Sequence, residues 1–325
     1  MSDTATSVSM AKSSGFSMRD RLLRLARDNI TFIIFGLITL FFVFYAPNFA
    51  SLQTANAIGR ITAVVSIMAV GMTMVIMCRE IDLSVGAHAS LAAMLGAMLM
   101  RTGISPWFAI PVVTVGGMLV GLINGLIVTR LRIPSFLVTL GMMSILSGTA
   151  LTVTNSLPVP IGDRSLGQIM SNGTLLGLPA AIWWTAGFAV VGFYILNLSV
   201  IGKHMAATGG NETAARFSGI DVDRAKVVAF AICGGCAAFA GFMLAGRASA
   251  GNPTVGVGLE LNVIAAVIIG GTSLFGGRGS VIGSVIGAVF IGILAFGLVV
   301  LGLSTTIQEI VKGIIIILAV SLNRR

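Results

Sequence analysis

Residues 57–77, AIGRITAVVSIMAVGMTMVIM, form an apolar run in which Arg60 is the one charged residue. An α-helix needs about 20 predominantly apolar residues to cross a hydrocarbon core about 30 Å thick, and this run has that length. Runs of the same kind recur from Asn29 to the C-terminus. The chain is therefore predicted to be an all-α, polytopic bundle of transmembrane helices.

The composition of the whole chain agrees with that class. Hydrophobic residues make up 56% of the 325 residues, charged residues make up 10%, and the mean hydropathy is +1.02. Soluble domains carry about 25% charged residues. The 41 glycines suit membrane helices, which approach one another closely through small residues.

Ten spans are predicted, and eight or nine would satisfy most of the same pattern. Their approximate positions are 30–46, 57–77, 83–100, 107–128, 136–152, 180–198, 227–246, 260–274, 280–301 and 306–322. With both termini in the cytoplasm, most of the 20 Lys and Arg residues fall in cytoplasmic segments, as the positive-inside rule requires. This orientation gives a cytoplasmic tail at 1–28 and a single membrane domain at 29–325, whose longest internal loop spans 203–226.

The net charge of +9 does not indicate nucleic-acid binding, because the basic residues sit at helix ends rather than along one face. Arg60, Arg101 and Arg247 depart from the positive-inside rule, since the predicted map puts them on the outer side. They are interpreted either as docking residues for an acidic partner or as side chains that snorkel to lipid headgroups.

No catalytic or cofactor chemistry is predicted. The chain contains no Gly-x-x-x-x-Gly-Lys-Ser/Thr loop, so it has no phosphate-binding loop for a nucleotide. Two histidines cannot supply a metal cluster or a catalytic triad, and the three cysteines are interpreted as packing thiols. The chain is therefore predicted not to be an enzyme.

Acidic residues inside the apolar part of the chain are the candidates for ion chemistry. The segment Glu80-Ile81-Asp82-Leu83-Ser84-Val85-Gly86 lies between two spans, and Asp82 is predicted to cap the helix that follows. The alternative is that Asp82 contacts an ion or a solute. Glu309 and Lys312 are spaced to pair on one helix face, either structurally or for proton coupling.

The internal loop contains the sequence GGNETAARFSGI at 209–220. It predicts a short helix outside the membrane, with a glycine pair as hinge, a capping asparagine and a glycine stop. Such a helix has no core of its own to bury, so an aqueous protein partner is predicted, with a solvated connector as the alternative. The candidate contact residues are Gly210, Asn211, Glu212, Arg216 and Gly219.

Two glycine series at spacing four lie along single helix faces. The members are Gly117, Gly121 and Gly125 in one series and Gly279, Gly283 and Gly287 in the other. Each series admits a neighbouring backbone, either in static packing within the chain or in a moving helix contact or subunit interface.

Three sequence blocks, at 69–86, 209–220 and 265–279, together resemble the permease subunits of bacterial ABC importers of the ribose, xylose and galactoside type. That superfamily also includes permeases for branched-chain amino acids. The resemblance implies import of a sugar or sugar-like solute by alternating access in the bacterial inner membrane. It also implies a second permease copy, two cytoplasmic ATPase subunits and a periplasmic binding protein. Block 209–220 is similar to the helix that couples the family to its ATPase, whereas Glu80 departs from the glycine common in the family.

The resemblance leaves the solute and the mechanism of energy supply as the open questions. Asn124, Ser144 and Asn262 lie within predicted spans and are candidates to line a path for an uncharged polyhydroxy solute. A proton- or sodium-coupled secondary transporter that uses Asp82, or Glu309 with Lys312, is the alternative mechanism. A permease for branched-chain amino acids is the alternative within the family. ATP-dependent uptake that survives a protonophore would indicate an ABC importer rather than a secondary transporter.

Overall fold

A computed structural model of the protein describes residues 30–322, so the predicted tail at 1–28 lies outside the described residues. The helices are α1 (Ile30–Tyr45), α2 (Leu52–Met77), α3 (Val85–Arg101), α4 (Pro106–Leu131), α5 (Ser135–Val153), α6 (Ser165–Gly167), α7 (Ala180–Phe193), α8 (Val200–Gly210), α9 (Glu212–Phe217), α10 (Val222–Ala248), α11 (Leu259–Ile269), α12 (Val281–Val300) and α13 (Thr305–Leu322). Two π-helical turns, Gln168–Asn172 and Tyr194–Leu198, continue α6 and α7.

Six of the described helices are long and apolar enough to cross a membrane: α2, α4, α5, α7 with its π-helical turn, α10 and α12. Three further apolar helices, α1, α3 and α11, are shorter. The predicted all-α membrane bundle is confirmed. Every predicted span overlaps a helix, but the count of ten remains a prediction because α1, α3 and α11 are shorter than a span requires.

Helices α2 and α10 form the centre of the bundle. Helix α10 packs against α2, α3 and α4, and every residue of α2 from Ser66 to Met77 is buried. Small residues make this packing close: a Cβ on Gly71 of α2 would lie 2.6 Å from the Cα of Cys233 in α10. Backbones at this distance leave no room for a methyl group.

Both glycine series are contacts within the chain. A Cβ on Gly117 of α4 would lie 2.5 Å from the carbonyl oxygen of Gly234, and one on Gly125 would lie 2.7 Å from the Cα of Val227, both in α10. In the second series, Gly283 and Gly287 of α12 meet the backbone of α11, whereas Gly279 lies before α12 begins.

Short strand pairs lie at one end of the bundle, which we call the outer end after the predicted orientation. Strand β1 (Val159–Pro160) pairs antiparallel with β4 (Ala250–Gly251), and β2 (Thr174–Leu175) pairs with β3 (Leu178–Pro179). The opposite end, where Met77 contacts Gly277, is called the inner end. The segment 153–179, between the fifth and sixth predicted spans, holds three of the four strands and α6.

The chain between α10 and α11 turns back into the bundle. A Cβ on Gly251 would meet Ala93 of α3, whereas the amide of Gly256 donates to Ser90 Oγ at 2.9 Å, nearer the start of α3. Residues 252–258 thus run along α3 towards its first turn, and α11 begins there. With 11 residues, α11 is about 16 Å long, half the thickness of a hydrocarbon core. The eighth predicted span is therefore a half-length helix preceded by a series of turns.

Candidate functional site

The three sequence blocks meet at the inner end of the bundle. The amide of Gly277 donates to the carbonyl oxygen of Met77 at 2.9 Å, and Arg79 Nε donates to the carbonyl oxygen of Phe275 at 2.5 Å. Gly209 packs into this junction, because a Cβ on it would overlap Met77 O and lie 2.5 Å from Gly277 N. Segments that are distant in the sequence thus form one contact through their backbones.

The short helix predicted outside the membrane is α9, which projects from this junction. The Asn211 side chain accepts from the amide of Ala214 at 3.0 Å, and Gly219 ends the helix with φ of +81°. The predicted cap and stop are therefore confirmed as local structure. The glycine pair predicted as a hinge forms the last turn of α8, with Gly209 packed closely against Met77 and Gly277, and its role as a hinge stays a prediction.

Ion pairs connect α9 to the rest of the inner end. Glu212 accepts from Arg216 at 3.0 Å and from Lys226 at 3.1 Å, and Arg216 also pairs with Asp223 at 2.5 Å. Lys226 reaches Glu80 at 2.8 Å, and these two side chains are only 13% and 12% exposed. Glu80 therefore joins the segment after α2 to α9 through Lys226.

The carboxyl of Glu212 has a perturbed pKa. Partial burial raises this pKa, but the hydrogen bonds and charges of Lys226 and Arg216 outweigh burial and hold the pKa below its usual value. Glu212 is consequently ionised at neutral pH and acts as the acceptor that both cations share.

The turn at Glu80–Ser84 also binds the neighbouring helices. The amides of Ile81 and Leu83 donate at 3.1 Å to Ser135 Oγ and Thr139 Oγ1 of α5, and Asn124 of α4 donates at 3.1 Å to Ser84 Oγ. A displacement of this turn would therefore act on α4 and α5 together.

Asp82 is not the cap of α3. Its Oδ1 atom accepts from the Ser84 amide at 2.9 Å and from Ser84 Oγ at 2.5 Å, and Ser84 occupies the N-cap position without a side-chain capping bond. The carboxylate closes a tight turn two residues before the helix instead. Asp82 is fully buried, and its Oδ2 atom has no hydrogen-bond partner in the described part of the chain.

The three candidates for a solute path lie in different environments. Asn124 is fully buried and bonded to Ser84, so it borders no open path in this conformation. Ser144 is exposed on α5, with its hydroxyl donating to the carbonyl oxygen of Leu140 in its own helix. Asn262 is half-buried on α11.

The three outer arginines lie towards the end of the bundle closed by the strands. Arg60 is two turns into α2, Arg101 ends α3, and Arg247 lies in the last turn of α10. Arg60 and Arg247 are close enough for their charges to repel. None of the three forms an ion pair with any residue between 30 and 322.

The remaining candidates carry no further chemistry in the part of the chain that the structure describes. Cys78, Cys233 and Cys236 are buried free thiols, and no metal-binding group of His, Cys, Asp or Glu occurs there. Glu309 and Lys312 form the predicted pair, with the Glu309 side chain 73% exposed.

Two features escaped the sequence reasoning. The pairing of Glu80 with Lys226 joins residues 146 positions apart, and no local pattern announces such a contact. Glu260 begins an apolar run for which the sequence predicts no site, yet its Oε2 atom lies against Gly86, where a Cβ would overlap it. An acidic residue at the start of a short predicted span was the available signal.

Comparison with known proteins identifies relatives over most of the chain. Residues 55–320 match the family described as "Branched-chain amino acid transport system / permease component". The chain is 38% identical to the ribose import permease protein RbsC of Escherichia coli over 86% of this chain and 88% of the relative. It is 38% identical to RbsC of Bacillus subtilis over 89% and 91%, and 32% identical to the L-arabinose transport system permease protein AraH of Escherichia coli over 100% and 97%. No solved structure matches the chain.

Proposed function

This chain belongs to the family of branched-chain amino acid transport system permease components, and on that premise we propose that it is the membrane-spanning permease subunit of an ATP-driven sugar importer. The observation that carries the proposal is the similarity to the ribose and L-arabinose permeases, which extends along nearly the full length of both partners. Those names favour a sugar over a branched-chain amino acid as the solute.

The proposed assembly is a pair of permeases, either identical or different, with cytoplasmic ATPase subunits and a periplasmic solute-binding protein. This assembly lies in the bacterial inner membrane as a multi-pass complex. Because the chain carries no phosphate-binding loop, the free energy of ATP enters through a contact with another protein. Helix α9 supports that contact, since it projects from the inner end with Phe217 89% exposed.

In this proposal Gly210, Asn211, Glu212, Arg216 and Gly219 form the ATPase-coupling segment within the loop at 203–226. Asn211 and Gly219 fix the ends of α9, and Glu212 and Arg216 hold it against α10 through Asp223 and Lys226. The turn containing Asp82, Ser84 and Gly86 would receive the movement, because it is hydrogen-bonded to α4 and α5.

The test of the function is uptake in vesicles reconstituted with the permease, its ATPase subunits and its binding protein. Radiolabelled ribose and L-arabinose are the first solutes to use. We expect uptake to require ATP and to survive a protonophore. Uptake that is abolished by the protonophore and independent of ATP would instead support the proton-coupled alternative.

The proposed topology has ten spans and both termini in the cytoplasm, so Gly210 is inside and Asn172 is outside. A reporter that is active only in the cytoplasm is expected to be active after residue 210 and inactive after residue 172. A reporter that is active only outside should give the opposite pattern. Cytoplasmic activity at residue 172 would contradict the map.

Arg60, Arg101 and Arg247 are proposed to dock an acidic rim of the binding protein. The guanidinium groups of Arg60 and Arg247 are neighbours, and neither has an ion-pair partner among residues 30–322. Such groups are complementary to carboxylates on another protein. We expect the Arg101→Ala, Arg247→Ala double variant to reduce binding-protein-stimulated ATP hydrolysis about tenfold, with a larger loss at low salt. Arg164→Ala, in the outer loop, is the matched control. Unchanged stimulation at every salt concentration would leave snorkelling as the role of these residues.

A further inference from the structure

Two helices begin next to each other inside the bundle, not at its ends. Ala89, in the first turns of α3, packs against Gly241 of α10, and Asp82 lies near Cys233 of the same helix. Positions 233–241 are in the central part of α10, which runs from Val222 to Ala248. The first turn of α3 is therefore near the middle of the bundle, and α11 begins beside it.

The two starts are joined through glycines. A Cβ on Gly256 would overlap the carbonyl oxygen of Gly86, and Gly258 precedes α11 with φ of +81°. Glu260, the second residue of α11, places its carboxylate against Gly86. The N-terminal ends of both helices thus lie around one carboxylate.

Glu260 is the accessible acid at this junction. Asp82 lies in the turn that precedes α3, but it is fully buried and hydrogen-bonded to Ser84. Glu260 is half-buried and has no ion-pair partner among residues 30–322. Beside it, Val257 and Leu261 are 75% and 65% exposed, so this side of α11 is uncovered in a single chain.

The charge on Glu260 decides what covers this side of α11. Hydrocarbon strongly disfavours an ionised carboxylate at such depth, and intramembrane acids therefore face a bundle interior or a water-filled cavity. Interrupted helices near the bilayer middle are also where transporters hold their solutes.

We propose that Glu260 is a solute-contact residue, whose carboxylate accepts hydrogen bonds from the hydroxyl groups of a sugar in transit. The proposal rests on the proposed function for the identity of the solute. The position of Glu260 on a wetted face is independent of that function. The second permease copy would close the path opposite α11.

The wetted face is tested by thiol labelling, which needs neither solute nor ATP. Glu260→Cys and Leu261→Cys are treated in proteoliposomes with a negatively charged, membrane-impermeant methanethiosulfonate. The native cysteines are at most 4% exposed and serve as a silent background. Leu119→Cys is the control, because Leu119 is 56% exposed on the face of α4 away from α10. We expect labelling at 260 and 261 but not at 119, and protection of both would overturn the proposal.

The solute contact is tested by uptake of radiolabelled ribose and L-arabinose. We expect Glu260→Ala to lower uptake at least tenfold while ATP hydrolysis stimulated by the binding protein and the thermal midpoint stay unchanged. Glu260→Gln keeps one acceptor oxygen and should be intermediate. Glu309→Ala, at the exposed acid of α13, should behave like the wild type.

A parallel loss of uptake, ATP hydrolysis and thermal stability in Glu260→Ala would reduce Glu260 to a structural residue and overturn the proposal. Unchanged uptake would overturn it as well. If the wild-type protein transported neither sugar, the proposed function would fail, and the labelling result would still decide whether Glu260 faces water.

Discussion

Gly209→Ala is expected to abolish uptake. The added methyl group would overlap the carbonyl oxygen of Met77 and lie 2.5 Å from the amide nitrogen of Gly277, so it would separate the backbones that join the three sequence blocks. Neither obstacle is a flexible side chain. The cost should therefore reach or exceed ~3 kcal/mol, the upper part of the usual range for overpacking. The measurement is uptake together with co-purification of the ATPase subunits.

Gly210→Ala is the control for this prediction. Gly210 is the next residue of the same helical turn, and a Cβ on it would meet no atom within 4 Å. We expect insertion, assembly and uptake close to the wild type, because the coupling segment keeps its shape: the added methyl group meets no neighbour, and alanine is favoured over glycine in a helix. Equal behaviour of the two variants would contradict the role assigned to the junction.

Reversing one charge of the Glu80–Lys226 pair is expected to uncouple ATP hydrolysis from uptake. Glu80→Lys would place two ammonium groups together at a site where both side chains are almost buried. Lys226→Glu would bring three carboxylates together, those of residues 80, 212 and 226. Breaking a buried pair costs about 3–5 kcal/mol, and the residual exposure reduces this to about 2 kcal/mol. Each single variant should lose about tenfold or more in sugar imported per ATP hydrolysed.

The double variant Glu80→Lys, Lys226→Glu separates the ion pair from the separate effects of each residue. Because it restores opposite charges at the same positions, it should recover part of the lost coupling, and the four proteins form a double-mutant cycle. Glu309→Gln, which changes the 73% exposed partner of the Glu309–Lys312 pair, should have little effect. Additive losses in the cycle would show that the two residues act independently.

Local sequence signals predicted the features that depend on a few neighbouring residues. Asn211 and Gly219 were readable because a cap needs a side-chain acceptor and a stop needs positive φ, and both requirements are set within one turn. The apolar runs were readable for a similar reason, since crossing a membrane is a requirement on length and polarity.

Features that depend on tertiary contact were not readable. Asp is a residue type that commonly caps helices, but the carboxylate of Asp82 is hydrogen-bonded to Ser84. The position of Ser84 is fixed by Asn124 and by the hydrogen bonds between this turn and α5. Gly209 and Gly210 are adjacent residues of the same type. Only the packing of Met77 and Gly277 against Gly209 makes that position tight, whereas Gly210 is open. Glu260 gains its importance from Gly86, which is distant in the chain.

The glycine contacts between α4 and α10 also constrain how the molecule moves. Backbones that touch at Gly117, Gly121 and Gly125 have no side chains that could rearrange and let the helices slide. We therefore expect α4 and α10, with Gly71 of α2 fitted against Cys233, to move as one rigid body. A path for the solute must then open and close at the borders of this body, on the sides of α5, α11 and α13.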